Sequence, residues 1–237
     1  FLIAYLILFG LPAIFIALIR TPFIQQIIAQ RMAEYLSEEL HTTVTIGRVD
    51  VDFMLDITMH DFYMEDLKEE VLLDAEKLQI SLSDFDIKNN SFSFEKIALH
   101  NADISLIKYE GEEELNFQFI QDYFSGEEKE KSSNEKSSQA LFCDMVELTN
   151  CHFRFKDENK EKGKGKIDFN DLDITGLNLL MENIIISDTL NSAHLMHLTL
   201  ADHGGFNLFH MAGNIEFSKK HINARSLKIL SNRSNLH

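Results

Sequence analysis

Apolar residues follow three successive patterns along this chain, and each pattern predicts a different element. Residues 1–19, FLIAYLILFGLPAIFIALI, are apolar without interruption and stop at Arg20. A helix of that length covers about 28 Å, close to the roughly 30 Å hydrocarbon core of a bilayer. The run therefore predicts a transmembrane anchor over residues 1–20. A cleaved secretory signal has a shorter apolar centre and a small-x-small site, which TPFIQQ does not supply, so the anchor is expected to be retained.

From Thr21 the period becomes 3.6. Thr21 suits an N-cap and Pro22 a first helical position, and Ile24, Ile27, Ile28, Met32, Tyr35, Leu36 and Leu40 recur at three and four. This predicts an amphipathic helix over 21–41. Its polar side, with Gln26, Gln30, Glu34 and Ser37, lacks the Lys and Arg of a lipid-surface helix, so its apolar side is expected to pack on its own domain.

From Thr43 the period is 2 and stays so. Val44 and Ile46, Val49 and Val51, Ile57 and Met59, Leu78 and Ile80, and many later pairs alternate with polar neighbours; Leu115, Phe117 and Phe119 fit the same pattern. Each such strand has one dry and one wet face, the mark of antiparallel sheets. A parity slip at Gly47 predicts a bulge. A weak repeat runs through DITMHDFYM, KIALHNADISL and MVELTNCHFRF, with Asp61, Asn101 and Asn150 at its break, 40 and 49 residues apart. Because an Asx side chain tolerates a turn, it is expected to end one strand and start the next. The segment 42–237 thus reads as one repetitive β region. Ser125–Gln139, without an apolar residue, predicts a mobile solvated loop, and Lys156–Lys166 a second loop.

Composition narrows the function. A net charge of −16 leaves no basic stripe for nucleic acid. Cys143 and Cys151, eight residues apart, would lie about 26 Å from each other on one strand, too far for a disulfide. Chemistry motifs are weak. Ser93-x-x-Lys96 and Ser133-x-x-Lys136 lack the partners of a Ser-Lys site; His194 and His197 fall on opposite strand faces; Asp168–Asp173 lacks the positions of a calcium loop. Neither an enzyme nor a cofactor or metal site is expected.

The order of elements is more specific than any one of them. The apolar run is followed by a helix, then by Val44, Ile46, Gly47 and Val49. Next come Leu72, Leu73, Ala75, Leu78, Ile80 and Leu82, and finally Ile97, Leu99, Ala102, Ile104, Leu106, Asn116 and Phe117. Over residues 1–120 this arrangement resembles the start of the AsmA-like/TamB envelope proteins, although the acidic and Lys-rich loops are not family features. The resemblance implies a mainly β fold, a taco-like, incompletely closed antiparallel β-groove behind a membrane anchor and an amphipathic helix. It implies an inner-membrane protein with its bulk in the periplasm of a Gram-negative-type envelope. It also implies phospholipid as partner, bridged towards the outer membrane, and an outer-membrane β-barrel as partner for a further C-terminal region.

Strands apolar on one face, with few helices to cover them, must curl on themselves or pack as two sheets. Alternation alone also fits a filled sandwich. On the groove reading, acyl chains are expected to contact Ile97, Leu99, Ile104, Leu106, Val146, Leu148, Phe153, Phe155, Leu198, Leu200, Ile215 and Phe217. Two function classes remain: a conduit that shields phospholipid acyl chains, and a scaffold for outer-membrane proteins acting by β-strand pairing at an open edge.

Overall fold

The computed structural model describes residues 21–52, 56–86, 91–125, 141–161, 168–187, 191–218, 221–233 and 235–236. The expected anchor, residues 1–20, lies outside them, as does the expected loop apart from Ser125. Among the described residues no helix is long and apolar enough to cross a membrane.

The first helix, α1 (Pro22–Leu40), follows Thr21 and ends on His41 in the left-handed region, φ 54°. Ten strands follow: β1 (Val44–Val51), β2 (Ile57–Glu65), β3 (Val71–Asp86), β4 (Ser91–Lys108), β5 (Leu141–Asp157), β6 (Asp171–Ile186), β7 (Asn191–Asp202), β8 (Asn207–Phe217), β9 (Ile222–Ser231) and the two-residue β10 (Asn235–Leu236). They form one sheet in chain order, with each strand beside its sequence neighbours. Among the described residues β1 and β10 are not paired with each other, so the sheet is not closed into a barrel.

Strand direction and strand count need correction first. The sheet is mixed rather than antiparallel, because β4 and β5 run parallel. Parallel neighbours need a long crossover. Residues 109–140 supply it, and they include a second helix, α2 (Gln118–Ser125). The alternating Leu115, Phe117 and Phe119 therefore belong to no strand. They lie on a turn and the start of α2, and Phe117, Phe119, Ile120 and Tyr123 pack against the main core cluster.

That cluster forms where α1 lies against the start of the sheet. Ala29 and Leu40 of α1 are buried with Val44, Ile46, Val49, Met59, Phe62 and Met64, and Ile28, Met32, Ala33 and Leu36 pack around them. The helix thus packs on its own domain as its pattern predicts. Ser37 ties the two elements together, its hydroxyl accepting from Val44 N at 2.9 Å.

The repeat break has a different meaning from the one expected. Asp61, Asn101 and Asn150 all have positive φ (52°, 48° and 52°), yet β2, β4 and β5 run straight through them. They do not end strands; they reverse which parity faces the core. In β4 the apolar parity is Ile97 and Leu99 before Asn101, then Ala102, Ile104 and Leu106 after it. The registers Lys77↔His100 and Ala75↔Ala102 remain in step across the break, because β3 slips at the same level. The slip at Gly47 is the same event and not a bulge: Ile46↔Phe62 and Arg48↔His60 keep one register on either side of it. A Cβ at Gly47 would lie 2.9 Å from Asp61 Oδ2, so glycine makes room for the Asp61 side chain. Gly176, φ 58°, continues the line in β6.

On the wet face this seam is a polar ladder. Asn101 donates to Glu76, Asn150 Nδ2 donates to Asn101 Oδ1 at 2.7 Å, Asn150 N donates to Asn178 Oδ1 at 2.9 Å, and Asn178 Nδ2 donates to Thr199 Oγ1 at 3.2 Å. Five strands, β3 to β7, are linked by it. Side-chain amides meet both the left-handed backbone and the cross-strand bonding requirement, which explains why Asn dominates these positions.

Candidate functional site

The dry face is built from rows of cross-strand partners, which share a face by the geometry of pairing. One row crosses nine strands: Val49↔Met59, Met59↔Leu78, Leu78↔Leu99, Leu99↔Leu148, Leu148↔Leu179, Leu179↔Leu198, Leu198↔Met211 and Met211↔Ile229. At about 4.8 Å per strand it is roughly 38 Å long. Its environment changes along its length. Val49, Met59 and Leu78 are 0%, 4% and 8% exposed, beneath α1 and α2, whereas Leu99, Leu148, Leu179, Leu198, Met211 and Ile229 are only half-buried. This row starts as core and continues half-buried, although the same face also holds Leu195 and Leu208 at 2% and 6% exposure.

Beside this row, on the far side of the seam, lies a narrow line of small residues. Ala75, Ala102 and Cys151 are 0%, 2% and 1% exposed, and Leu73, Leu99, Ile104, Leu148 and Phe153 pack around them. A further row, Leu73↔Ile104, Ile104↔Phe153 and Phe153↔Ile174, runs beyond it. The cross-section is therefore small residues at the floor with large aliphatic and aromatic residues on both flanks.

The twelve positions expected from the sequence fall on this face. Ile97, Leu99, Ile104 and Leu106 of β4 pair with Val146, Leu148, Phe153 and Phe155 of β5. Leu198 joins them through Leu179, Leu200 pairs with Leu208, and Ile215 and Phe217 pair with Ala193 and Asn191 towards the end of β8. Eleven are half-buried and Phe217 is 46% exposed. Leu179, Met181, Leu195 and Met211 belong to the same surface. Their signal was the parity itself, once the slips at Gly176 and Met196/His197 are placed. Cys143 and Cys151 lie on β5 as free thiols, and burial raises both thiol pKa values.

The wet face carries charge in cross-strand pairs. Lys96 Nζ meets Glu147 at 2.7 Å, and this hydrogen bond holds the Glu147 carboxyl below its ordinary range. His152 lies between two carboxylates, Asp173 at Nε2 (2.6 Å) and Asp103 at Nδ1 (2.7 Å), which raise its pKa against the opposing effect of burial. The carboxylates engage opposite ring nitrogens and cannot converge on one ion. Among the described residues no three His, Cys, Asp or Glu side chains are placed to hold a metal. Two shallow depressions, about 370 and 340 Å³, are bordered by mostly polar and charged residues, the first including Asp50, Asp52, Asp56 and Gln79 and the second Glu95, Lys96, Asp144 and Glu182.

No protein-family model and no curated protein matches the chain.

One buried polar group lies in the β2–β3 turn, beside Thr42 just past the end of α1. Asp66, 1% exposed, accepts from Tyr109 Oη at 2.6 Å, Asn116 Nδ2 at 2.9 Å, and the backbone N of Lys68 and Glu70 at 2.8 and 3.1 Å. Burial pushes its pKa up, but four donors outweigh it and the carboxyl lies below its usual range. Burial and the Asp66 carboxylate push the Tyr109 phenol up. Asn116 also accepts from Ile107 N and donates to Ser105 O, so it fastens the crossover to β4. With its acceptors engaged, Asp66 is a structural clasp between the β2–β3 turn and the crossover. That explains the placing of Asn116 and Phe117 together: one residue locks the turn and the next enters the core.

Proposed function

We propose that the apolar face is a trough that shields phospholipid acyl chains, in a protein anchored by residues 1–19 in an inner membrane with its β region in the periplasm. In this reading it carries lipid between inner and outer membranes. The observation that supports it best is the nine-strand apolar row, covered by helices over β1–β3 and half-open from β4 onwards. An acyl chain is a flexible apolar cylinder, and a row of Leu and Met side chains about 38 Å long is longer than one such chain. The gradient in exposure favours an open face over a sandwich, in which Leu148 and Leu198 would be as buried as Val49. The uncovered face also weighs against strand pairing as the main mode, since pairing uses the edge backbone and leaves this face without a role.

The test is photo-crosslinking in whole cells. Crosslinkers at Leu99, Leu106, Leu148 and Leu200 are expected to capture phospholipid, while those at the wet-face Glu147 and Thr199 do not. Equal capture on both parities overturns the trough.

A further inference from the structure

Helix α1 changes character half-way along. From Pro22 to Gln30 it carries no charged residue; Arg31, Glu34, Glu38 and Glu39 all lie in its second half. The two halves differ in packing as well. Buried Ala29 and Leu40, with Ile28, Met32, Ala33 and Leu36, seat the helix from its middle onwards on the core at the start of the sheet, whereas Phe23 and Ile27, nearer its start, are 71% and 39% exposed. These two are four residues apart and so share one stripe of the helix, pointing away from the sheet. The packing of α1 on its own domain accounts for the later stripe and leaves this one unexplained.

We infer that the first half of α1 lies in the headgroup layer of a bilayer, with Phe23 and Ile27 inserted at the ends of the acyl chains; this rests on the reading of residues 1–19 as a membrane anchor. Chain length sets the distance. If the apolar run ends at the hydrocarbon edge beside Arg20, three Cα–Cα steps lead from Arg20 to Phe23, so Phe23 lies within about 11 Å of that edge. The headgroup layer itself is roughly 5–8 Å thick on each side. A neutral stripe one helical turn long, with one aromatic and one aliphatic residue, suits that layer. A protein partner suits it less, because two side chains fall far short of the roughly 800 Å² per partner of a standard interface. Pinning α1 there also fixes the sheet: the α1 start and the β1–β2 connection border the same depression, lined by Gln25, Asp52 and Asp56, so this end of the trough faces the membrane.

The chain has no tryptophan, which makes the test direct. Phe23→Trp and, separately, Ile27→Trp introduce a single reporter at an exposed site; Glu38→Trp places one about 22 Å further along the helix. The full chain is reconstituted in phosphatidylethanolamine–phosphatidylglycerol nanodiscs with lipids brominated near the glycerol end of the acyl chains. Strong quenching and blue-shifted emission are expected for Phe23→Trp and Ile27→Trp, with neither for Glu38→Trp. Unquenched emission at positions 23 and 27 overturns the inference, as does equal quenching at all three. If the chain still reconstitutes and still copurifies with phospholipid, that failure leaves the anchor and the trough standing; a chain that does not reconstitute removes the anchor as well.

Discussion

Leu148 and Val49 occupy the same row of the sheet, and an Asp at each separates an open trough from a core. Val49 is 0% exposed beneath α1, so a carboxylate there has no route to water. Burying an uncompensated charge costs on the order of 4 kcal/mol or more, a large part of the 5–15 kcal/mol that holds a domain together. Leu148 is half-buried, between Leu99 and Leu179. Full burial of a leucine contributes about 1.5–3 kcal/mol, so losing half of it costs about 1 kcal/mol. The poor strand propensity of Asp adds up to about 1 kcal/mol. Leu148→Asp should then lower Tm by about 4–8 °C in a chain of this size, with the fold retained. An acyl chain lying across the row would meet a carboxylate, so copurified phospholipid should fall sharply. Thermal unfolding and lipid mass spectrometry on the same purified variants check both parts. If Leu148→Asp unfolds as completely as Val49→Asp, the face is filled core and the trough argument fails.

Three further outcomes test the elements that shape the trough. Asn101→Val puts a β-branched residue at φ 48° and is expected to cost about 1–3 kcal/mol in urea unfolding, with Asn101→Gly costing less despite losing the same side-chain bonds; equal losses would mean that the ladder, not the backbone, matters. The raised pKa of His152 gives it a stabilising charge that is complete below its ordinary value of about 6.5 and is lost as pH rises through the elevated one. The urea-midpoint advantage of wild type over His152→Gln should therefore be largest in mild acid and shrink towards alkaline pH. Tyr109→Phe removes one of four donors to Asp66 and is expected to cost about 1–3 kcal/mol. Because Asp66 stabilises above its ordinary carboxylate range and loses this as pH falls through its depressed value, the acid-unfolding midpoint of Tyr109→Phe should move to higher pH.

The sequence made the parity of the strands legible, and with it the dry face, because a half-buried strand must alternate. It also marked Asp61, Asn101 and Asn150 as equivalent, although their role was not visible: a positive φ can either turn a chain or reverse its faces, and only neighbouring strands slipping at the same level distinguish the two. The parallel β4–β5 pair was hidden because direction depends on the crossover and not on alternation. Phe117 and Phe119 looked like strand residues because a short helix entering from a turn offers too few residues for its period to show. Asp66 gave no signal at all, since its partners Tyr109 and Asn116 are far away in the chain and meet it only after β3 and β4 have paired.

An open sheet carries a standing hazard, because its end strands offer unpaired backbone to any passing extended chain. Here the outermost long strands both carry breaks: Gly47 in β1, and in β9 Ser226 at φ 54°. A plainly alternating segment that docks on either strand can match its dry side on one flank of the break only. Beyond the break its apolar residues face water and its polar residues face the trough. Such a mismatch halves the reward for mispairing while leaving native neighbours, which slip at the same level, unaffected. A break in each outermost long strand thus lowers the gain for a regular strand that docks there, the kind from which aggregates grow.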